Sequence, residues 1–306
     1  MSYAPIILFT YSRKDHTMQA VDSLLKNKES SESDLFIFSD GPKTREKEKA
    51  VKENREYIHS IKGFKSVTIT ERETNWGLAN SLIAGITEVI DKYGRAIIVE
   101  DDLILSPYFL KFMNDGLDMY KNNEEVAAIS GFLYPMKEKM PESFFLRYFH
   151  CWGWATWKDS WHLLNTNTKE LLRKIRWKTR KFNLDNSFNY YGMLYCQKVG
   201  LVDSWYIRLY ASFYLAKKLI LFPNQSLVEN HGFDGSGTHS NKNDTVKTST
   251  MSQSPIEIKK TSIVENRIAY QSLCNYFKSK NRQKTIKKYD NNLKVFIRKL
   301  LLIDCR

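Results

Sequence analysis

The sequence AIIVEDDLIL occupies residues 96–105 and sets three consecutive carboxylates, Glu100, Asp101 and Asp102, between two apolar runs. The first of these runs is short and β-branched, which predicts a buried β-strand. Three adjacent carboxylates repel one another, so they are costly to hold together without a cation. Mg²⁺ and Mn²⁺ favour carboxylate oxygen and often share their coordination with phosphates. The stretch therefore predicts a strand that ends at a divalent-metal site, with a solvated strand cap as the alternative.

Working outward, four further apolar runs of β-type composition occur in the first 130 residues. They lie at 6–9, 35–38, 67–70 and 126–129. Helical patterns separate them, and the clearest has an apolar residue at every fourth position. Its members are Leu78, Leu82, Ile86 and Ile90. Ser106 and Pro107 predict the start of another helix. This alternation predicts an α/β fold with a mostly parallel sheet flanked by helices.

Ligands of such sheets bind beyond the carboxyl ends of the strands. The segments that follow the first four predicted strands are rich in polar and charged residues. They are 10–13 (TYSR), 39–42 (SDGP), 71–77 (ERETNWG) and 100–102 (EDD). This rim of the sheet is the predicted active site.

A strand followed by Glu-Asp-Asp-Leu, and then by Tyr108 and Phe109, resembles the metal motif of the N-acetylglucosaminyltransferase I family. It also resembles related bacterial surface-polysaccharide glycosyltransferases. The resemblance implies a GT-A (Rossmann-like) fold with a mostly parallel mixed sheet. It further implies that Asp102 ligates Mn²⁺ or Mg²⁺ directly, with Asp101 and Glu100 near the ribose and the water shell of the metal.

The two loops at the other end of the rim resemble those that hold the nucleotide in the same family. The resemblance implies that Thr10, Tyr11 and Arg13 contact the base and ribose. It also implies that Asp40 accepts a hydrogen bond from the uracil or the ribose. The alternative for Asp40 is an ordinary turn residue.

Asn75-Trp76-Gly77 resembles the Asn-x-Gly helix start of many GT-A enzymes. A glycine there permits close approach of the backbone to the donor, and a helix N-terminus favours phosphate. The resemblance therefore implies that Asn75 and Gly77 contribute to donor binding. An ordinary helix cap is the alternative for Asn75.

A loop with Gly232, Gly235 and Gly237 resembles the segment that folds over the bound donor in this family. Such a lid needs hinge freedom. His239, and with less support His231, is a candidate contact to the diphosphate or the metal, although a single histidine is more often structural.

An inverting transfer needs a general base that removes the proton from the attacking hydroxyl. The family places paired acids beside a tryptophan, and the matching segment here is Val202-Asp203-Ser204-Trp205. Asp203 is the candidate base. Because a serine replaces the second acid, the alignment of this segment with the paired acids of the family stays open by one position. The alternative is a helix N-cap.

Four of the seven tryptophans lie between residues 152 and 161. Trp152 and Trp154 flank Gly153 in a predicted loop, where either ring could stack on an acceptor sugar or pack in the core. Trp157 and Trp161 are four residues apart, which predicts one buried helix face.

The formal net charge is +13, and residues 151–306 carry an excess of +16 against −3 for residues 1–150. Residues 278–299 hold nine basic residues and one acid. An apolar stripe over residues 293–301 then predicts a basic amphipathic helix, suited to an anionic membrane surface or docked on the catalytic domain.

The predicted organisation has a catalytic domain at 1–238, with nucleotide-sugar binding over about 1–130 and acceptor binding over about 131–238. A flexible linker at 239–260 and a basic helical segment at 261–306 follow. The apolar run at 6–9 is too short for a signal peptide or a membrane span. Four scattered cysteines indicate a reducing compartment. We expect a cytoplasmic enzyme, peripheral on the inner face of the membrane.

Together these features predict a metal-dependent inverting hexosyl- or N-acetylhexosaminyltransferase. Its donor is a UDP-linked sugar, and its acceptor is a saccharide or lipid-linked oligosaccharide in bacterial surface-polysaccharide synthesis, such as capsule, O-antigen or lipo-oligosaccharide. A sugar-nucleotide nucleotidyltransferase is the enzymatic alternative, but residues 10–13 lack the glycine-rich phosphate loop that it requires. A basic nucleic-acid-binding protein is the other, but no binding motif accompanies the charge, so nucleic acid is not an expected partner.

Overall fold

The computed structural model of the chain describes residues 2–234 and 250–287. The strands of this part are β1 (Ile6–Thr10), β2 (Asp34–Ser39), β3 (Ser66–Glu71), β4 (Arg95–Glu100), β5 (Leu103–Leu105), β6 (Val126–Ser130), β7 (Ser143–Leu146), β8 (Trp154–Trp157), β9 (Leu219–Pro223) and β10 (Val228–Asn230). Its α-helices are α1 (Lys14–Leu25), α2 (Glu48–Ile58), α3 (Leu78–Tyr93), α4 (Phe109–Tyr120), α5 (Lys158–Trp161), α6 (Thr168–Ile175), α7 (Thr179–Phe182), α8 (Tyr190–Lys198), α9 (Trp205–Leu215) and α10 (Arg267–Lys287).

Eight strands form one mixed sheet in the order β3-β2-β1-β4-β8-β6-β9-β7. Neighbours are parallel from β3 to β4 and again between β6 and β9. Only β8 and the edge strand β7 run against their neighbours within this sheet. The predicted α/β class with a mostly parallel sheet is confirmed, and the five predicted strands agree with the observed ones to within one residue at each end.

Both faces of the sheet are covered, which explains why its central strands read as unbroken apolar runs. In β1, Ile7 and Phe9 belong to the core on one face, while Ile6 and Leu8 belong to the core on the other. The helices α3, α6, α8 and α9 cover the first face, and α1 and α4 cover the second. The side chains of these strands alternate between the two cores, so packing on both faces holds the strands in place. The loops of the predicted rim begin where these strands end.

The helix of period four is confirmed as α3, which ends where Gly94 adopts a left-handed conformation. The predicted start at Ser106 and Pro107 is wrong, because α4 begins at Phe109. Ser106 is engaged in a tight turn instead: its carbonyl accepts from the Phe109 amide at 3.0 Å, and its hydroxyl donates to the Ser252 carbonyl at 2.7 Å.

The basic stretch from 169 to 181 forms two helices, α6 and α7, that are separated at residues 176–178. One other helical prediction also differs from the structure. Trp157 and Trp161 do not share a helix face: Trp157 is the last residue of β8, and Trp161 lies in α5 with its ring buried. A period of four cannot distinguish a helix from a strand that passes directly into a short helix.

A small antiparallel sheet pairs β5 with β10. It joins Leu103–Leu105, directly after the acidic triplet, to Val228–Asn230, directly before the glycine-bearing segment. Two stretches more than 120 residues apart in the sequence thus flank one site.

The described part of the C-terminal region packs against the core on one face of the sheet. Ala269, Leu273, Cys274 and Phe277 of α10 are buried in the same apolar core as α3 and α9. Residues 239–249 of the predicted linker at 239–260 lie outside the described residues, as does the predicted amphipathic helix at 293–301. None of the helices within residues 2–234 and 250–287 combines the length and apolar character needed to cross a membrane.

A decrease in pH is expected to destabilise the fold through His150. Burial lowers the pKa of His150 to about 3, where its Nδ1 atom accepts from the Trp152 amide at 3.3 Å and its Nε2 atom contacts the Tyr134 hydroxyl at 3.1 Å. The unfolded chain therefore binds this proton more tightly than the folded chain does. The free energy of unfolding does not depend on His150 titration above about pH 6.5, and it decreases by up to about 1.4 kcal/mol per pH unit below that value. Urea unfolding at several pH values measures this slope.

His150→Phe removes the titrating group and serves as the control. It is expected to flatten the decrease below about pH 6.5, while lowering stability at neutral pH through the lost hydrogen bonds. Equal slopes in the two proteins would contradict the assignment to His150.

Candidate active site

The acidic triplet lies in the turn between β4 and β5, at the carboxyl edge of the parallel strands. The Asp101 amide donates to the Phe9 carbonyl at 3.1 Å, which fixes the turn to β1. The Asp102 carbonyl accepts from the His231 amide at 2.8 Å, which fixes the turn to the segment after β10. The triplet is therefore held from both sides by backbone hydrogen bonds.

Arg13, at the start of α1, supplies the cation nearest to the triplet. Its Nη2 atom forms an ion pair with Asp101 and a second one with Asp102 at 3.0 Å. Its Nη1 atom is buried and has no hydrogen-bond partner among the described residues. The guanidinium thus bridges two carboxylates, while one of its buried N–H groups makes no hydrogen bond within the described part of the chain.

Burial dominates the electrostatics of the triplet. It raises the pKa of Glu100 to about 8, with Asp102 and Asp101 adding to the increase. It also raises the pKa of Asp101 to about 6, although Arg13 opposes that increase. One guanidinium therefore does not compensate three adjacent carboxyl groups.

Thr10 lies beneath the triplet rather than at an open surface. Its hydroxyl accepts from Asn54 at 2.9 Å, shares a hydrogen bond with Thr17 at 2.7 Å, and lies 3.5 Å from the Asp101 carboxylate. Tyr11 extends the other way, and its hydroxyl accepts from the Lys43 amide at 2.8 Å. Thr10 thus supports the triplet, and Tyr11 ties the loop after β1 to the loop after β2.

Asp40 holds the loop that precedes α3. Its buried carboxylate accepts hydrogen bonds from the amides of Gly41 at 3.0 Å, Trp76 at 2.9 Å and Gly77 at 3.0 Å. The Asn75 side chain donates to the Gly41 carbonyl at 2.8 Å, which joins the loop after β3 to the loop after β2. A contact between Asp40 and a base or ribose stays a prediction, and in this structure the carboxylate orders the loop that precedes α3.

Gly77 adopts φ 76° and ψ 154°, a backbone conformation that other residues rarely tolerate, and α3 begins at the next residue. The amides at this helix start point out of the first turn, as a phosphate site requires. The neighbouring Trp76 is 45% exposed, and the Arg72 guanidinium lies 3.6 Å from the centre of its ring.

Arg55 was not singled out in the sequence, yet it organises the same rim. It extends from α2, donates to the Arg72 carbonyl at 2.7 Å and the Asp40 carbonyl at 3.3 Å, and pairs with Glu71 at 3.2 Å. The charged sequence of α2 resembles any solvated helix, so only the fold reveals that Arg55 points inward.

Gly232 makes close contact with the last carboxylate of the triplet. A Cβ atom at this position would lie 2.4 Å from Asp102 Oδ2, so any side chain here would displace that oxygen. His231 is 46% exposed and pairs with Glu229 at 3.5 Å. His239 lies outside the described residues, and its contact with the diphosphate stays a prediction.

The two tryptophans predicted to contact the acceptor, Trp152 and Trp154, differ in their burial. The Trp152 ring is half-buried and packs 5.6 Å from Phe233, beside the glycine-bearing segment. Trp154 is fully buried in β8, with its ring 5.0 Å from Phe149 and 5.8 Å from Trp205. The predicted sugar stacking by Trp154 is therefore wrong, because Trp154 is the first residue of a strand whose faces are covered and not part of a loop.

Asp203 lies in the turn before α9. Its side chain is 61% exposed and lies 3.4 Å from Arg208. The N-cap is the next residue, since the Ser204 hydroxyl accepts from the Ile207 amide. The cap alternative therefore applies to Ser204, and the role of Asp203 as a base stays a prediction.

With this geometry in place, comparison with known proteins identifies the family. The family model described as the GNT-I family matches residues 1–169 of this chain of 306 residues. The chain belongs to the GNT-I family. The matched stretch holds the triplet, Arg13, the Asp40 loops and Trp152, while Asp203 and Gly232 lie beyond it. This family is one of glycosyltransferases, and the resemblance of the sequence to it is confirmed.

Two solved structures match this GNT-I family member at low similarity. S. aureus TarS is 15% identical with a TM-score of 0.32, and the match covers 46% of this chain and 24% of TarS. The mannosyltransferase PcManGT from Pyrobaculum calidifontis, in complex with GDP-Man and Mn²⁺, is 12% identical with a TM-score of 0.37. That match covers 71% of this chain and 70% of the mannosyltransferase. The chain thus spans about a quarter of the length of TarS. No curated protein matches.

The residues of this family member fit a divalent cation held by one protein carboxylate. Within residues 2–234 and 250–287, no three side chains of His, Cys, Asp or Glu converge as a metal-binding group. Asp102 remains 19% exposed, while Asp101 beside it is buried. The Arg13 Nη1 atom is buried without a hydrogen-bond partner among the described residues, and burial raises the pKa of Glu100 to about 8.

In the absence of metal, Arg13→Leu is expected to destabilise the protein by about 2–3 kcal/mol, because it leaves Asp101 buried without its ion pair. This value lies below the range of about 3–5 kcal/mol for broken buried pairs, because Arg13 is one-fifth exposed. Mn²⁺ should restore part of that stability by replacing the lost charge. Urea unfolding with EDTA and with Mn²⁺ measures both effects.

The matched control is Arg95→Leu, which removes a similarly exposed guanidinium that pairs with Asp118 at 2.6 Å on another part of the sheet. Its loss of stability should not respond to Mn²⁺. An Arg13→Leu variant as stable as the parent, or one that Mn²⁺ leaves unchanged, would argue against the triplet as the cation site.

Proposed function

We propose that this protein is a metal-dependent inverting glycosyltransferase. It transfers a sugar from a UDP-linked donor to a saccharide acceptor in bacterial surface-polysaccharide synthesis. The observation that carries this proposal is the junction of three loops at one edge of the sheet. The Arg13–triplet cluster, the Asp40-held loop and the start of α3 all follow the carboxyl ends of parallel strands.

The donor diphosphate would lie between the triplet and the start of α3. Arg13 offers a buried N–H group there that has no partner among the described residues. The first turn of α3 offers backbone amides, and its dipole favours negative charge. Both groups are held in place before the ligand arrives, so little ordering entropy is lost on binding.

Asp102 would hold the cation, with Asp101 and Glu100 behind it. When bound, Mn²⁺ or Mg²⁺ would supply positive charge that stabilises the departing diphosphate. Gly232 keeps the space beside Asp102 Oδ2 clear of a side chain. Arg13 holds Asp102 through a 3.0 Å ion pair, which orients the carboxylate.

On the acceptor side, Asp203 would remove the proton from the attacking hydroxyl, and Trp152 would border the acceptor. Support for Asp203 comes from its exposure and from its position at the start of α9, whose Trp205 ring stacks on Trp154. The acceptor would be a saccharide or a lipid-linked oligosaccharide reached from the cytoplasmic face of the membrane.

Binding of sugar nucleotides tests the proposal directly. Calorimetry with UDP-, GDP-, CMP- and dTDP-sugars, each with Mn²⁺ and with EDTA, should show tight binding of one nucleotide class that requires the metal. A nucleotidyltransferase would instead bind nucleoside triphosphates and sugar phosphates. If no nucleotide sugar binds in a metal-dependent manner, the proposal is wrong.

A further inference from the structure

The corner between α6 and α7 carries an exposed tryptophan that the proposed reaction does not use. Trp177 is 84% exposed, the highest value among the large apolar side chains of the described residues. It lies between Arg176 and Lys178, and the Arg176 guanidinium is 5.0 Å from the centre of its ring. Exposing a ring of this size to water is unfavourable by about 2 kcal/mol relative to an apolar or interfacial site.

Basic residues surround Trp177. Residues 169–181 hold seven basic residues and one acid, and every one of these basic side chains is exposed. The basic residues are Lys169, Arg173, Lys174, Arg176, Lys178, Arg180 and Lys181. Neighbouring carboxylates compensate three of them: Glu170 pairs with Lys174 at 2.6 Å, and Asp185 pairs with Arg180 and Lys181 at 3.2 Å each. The corner, residues 168–182, therefore presents a strong excess of positive charge.

The corner is held rigidly on the domain. Leu171, Leu172 and Ile175 of α6 are buried against the core, as is Phe182 of α7. The Tyr214 hydroxyl donates to the Lys178 carbonyl at 3.2 Å, and the Phe182 amide donates to the same carbonyl at 3.1 Å. The fold thus holds Trp177 outward, so exposing its ring to a partner costs little ordering entropy.

We propose that this corner is the surface by which the protein docks on a bilayer that carries anionic headgroups. Tryptophan favours the boundary between headgroups and acyl chains, where its ring is apolar and its N–H stays hydrated. Each basic residue near an anionic surface increases partitioning about fivefold. The rim of basic side chains around one protruding ring matches both requirements, and the α6–α7 corner is distinct from the predicted tail helix at 293–301.

The shape of the corner favours a bilayer over a nucleic acid or a polysaccharide. Single-stranded nucleic acid is held by several aromatic rings along a basic groove, whereas residues 168–182 hold one tryptophan, which is 84% exposed. A saccharide site is likewise concave and encloses its ligand. A planar surface of anionic headgroups accommodates a protruding tip without either feature.

Flotation with lipid vesicles tests the docking surface on the full chain. Vesicles with about 30% phosphatidylglycerol should bind the protein far more tightly than vesicles of phosphatidylcholine alone. Trp177→Ser should weaken binding about tenfold, and the double variant Arg173→Glu/Lys178→Glu should weaken it at least tenfold. Brominated lipids should quench part of the tryptophan fluorescence of the parent, and Trp177→Phe should remove that quenching.

Matched controls lie on the opposite face of the sheet. Met119→Ser removes another exposed apolar side chain from α4, and Lys62→Glu/Lys121→Glu changes the net charge by the same amount as the double variant. Both controls should bind vesicles nearly as the parent does. Equal binding of the corner variants and the controls would overturn the proposal and place the membrane contact elsewhere, such as in the predicted tail helix. No preference for anionic vesicles, together with single-stranded DNA binding that Trp177→Ser abolishes, would also overturn it.

Measuring donor binding distinguishes a failure of the docking proposal from a failure of the proposed function. The corner variants should retain the nucleotide-sugar affinity of the parent, since residues 168–182 contact neither the triplet nor the Asp40 loops within the described structure. A protein that floats with vesicles but binds no donor would leave the docking surface intact and remove the glycosyltransferase proposal.

Discussion

Asp102→Asn is expected to abolish metal-dependent donor binding and to reduce transfer at least about a thousand-fold. The substitution preserves the shape of the side chain and removes the charge that would hold the cation. The Arg13 contact at 3.0 Å can persist to an amide oxygen, so the fold should survive. Calorimetry of Mn²⁺ and donor binding, with a transfer assay on the same preparation, measures both effects.

Asp115→Asn is the matched control for that variant. Asp115 is a surface carboxylate that pairs with Lys111 at 2.6 Å within α4. Surface pairs of this kind contribute about 0–1 kcal/mol, so neither stability nor transfer should change noticeably. If Asp102→Asn still binds the donor only when Mn²⁺ is present, the cation is held by another residue and the reading of the triplet is wrong.

Asp203→Asn is expected to reduce the turnover rate about 10²–10⁴-fold while donor affinity stays unchanged. An asparagine keeps the size of the side chain and can still contact Arg208, but it cannot accept a proton. Because Asp203 is 61% exposed, the loss of its charge should cost little stability. Turnover with saturating acceptor, compared with the donor dissociation constant, separates the two effects.

Ser204→Ala resolves the register around that base. Ser204 caps α9, so its substitution should cost about 1 kcal/mol of stability and leave the turnover rate nearly intact. A large loss of rate in Ser204→Ala, with full activity in Asp203→Asn, would move the base function away from Asp203.

Within the sheet, local pattern was sufficient to predict structure. Strand β4 is apolar at four successive positions because both of its faces are buried, and the carboxylates that follow mark the edge of the sheet. The same reasoning located the loops after β1, β2 and β3. The family match over residues 1–169 covers this region, where short motifs follow regular strands in a fixed order.

Side-chain roles within the site were less accessible to sequence reasoning. Thr10, Asp40 and Asn75 were predicted on the donor side, and the structure uses all three to brace loops against one another. Arg55 was missed because it is one of six charged residues among the first nine residues of α2, and nothing in the sequence distinguishes it from the others. Trp154 was misplaced because a tryptophan after a glycine can begin either a loop or a strand. Burial of a side chain depends on which distant segment covers it, and no local pattern contains that information.

The sequence by itself determined the α/β class, the five strands β1–β4 and β6, and the acidic rim, because these depend on periodicity and on the chemistry of neighbouring residues. Only the tertiary structure decided that Arg13 spans Asp101 and Asp102, that Gly232 lies against Asp102, and that Trp177 protrudes from a basic corner. Each of these features brings together or exposes groups through packing between elements far apart in the chain. Such contacts exist only after the core has closed around both sheet faces.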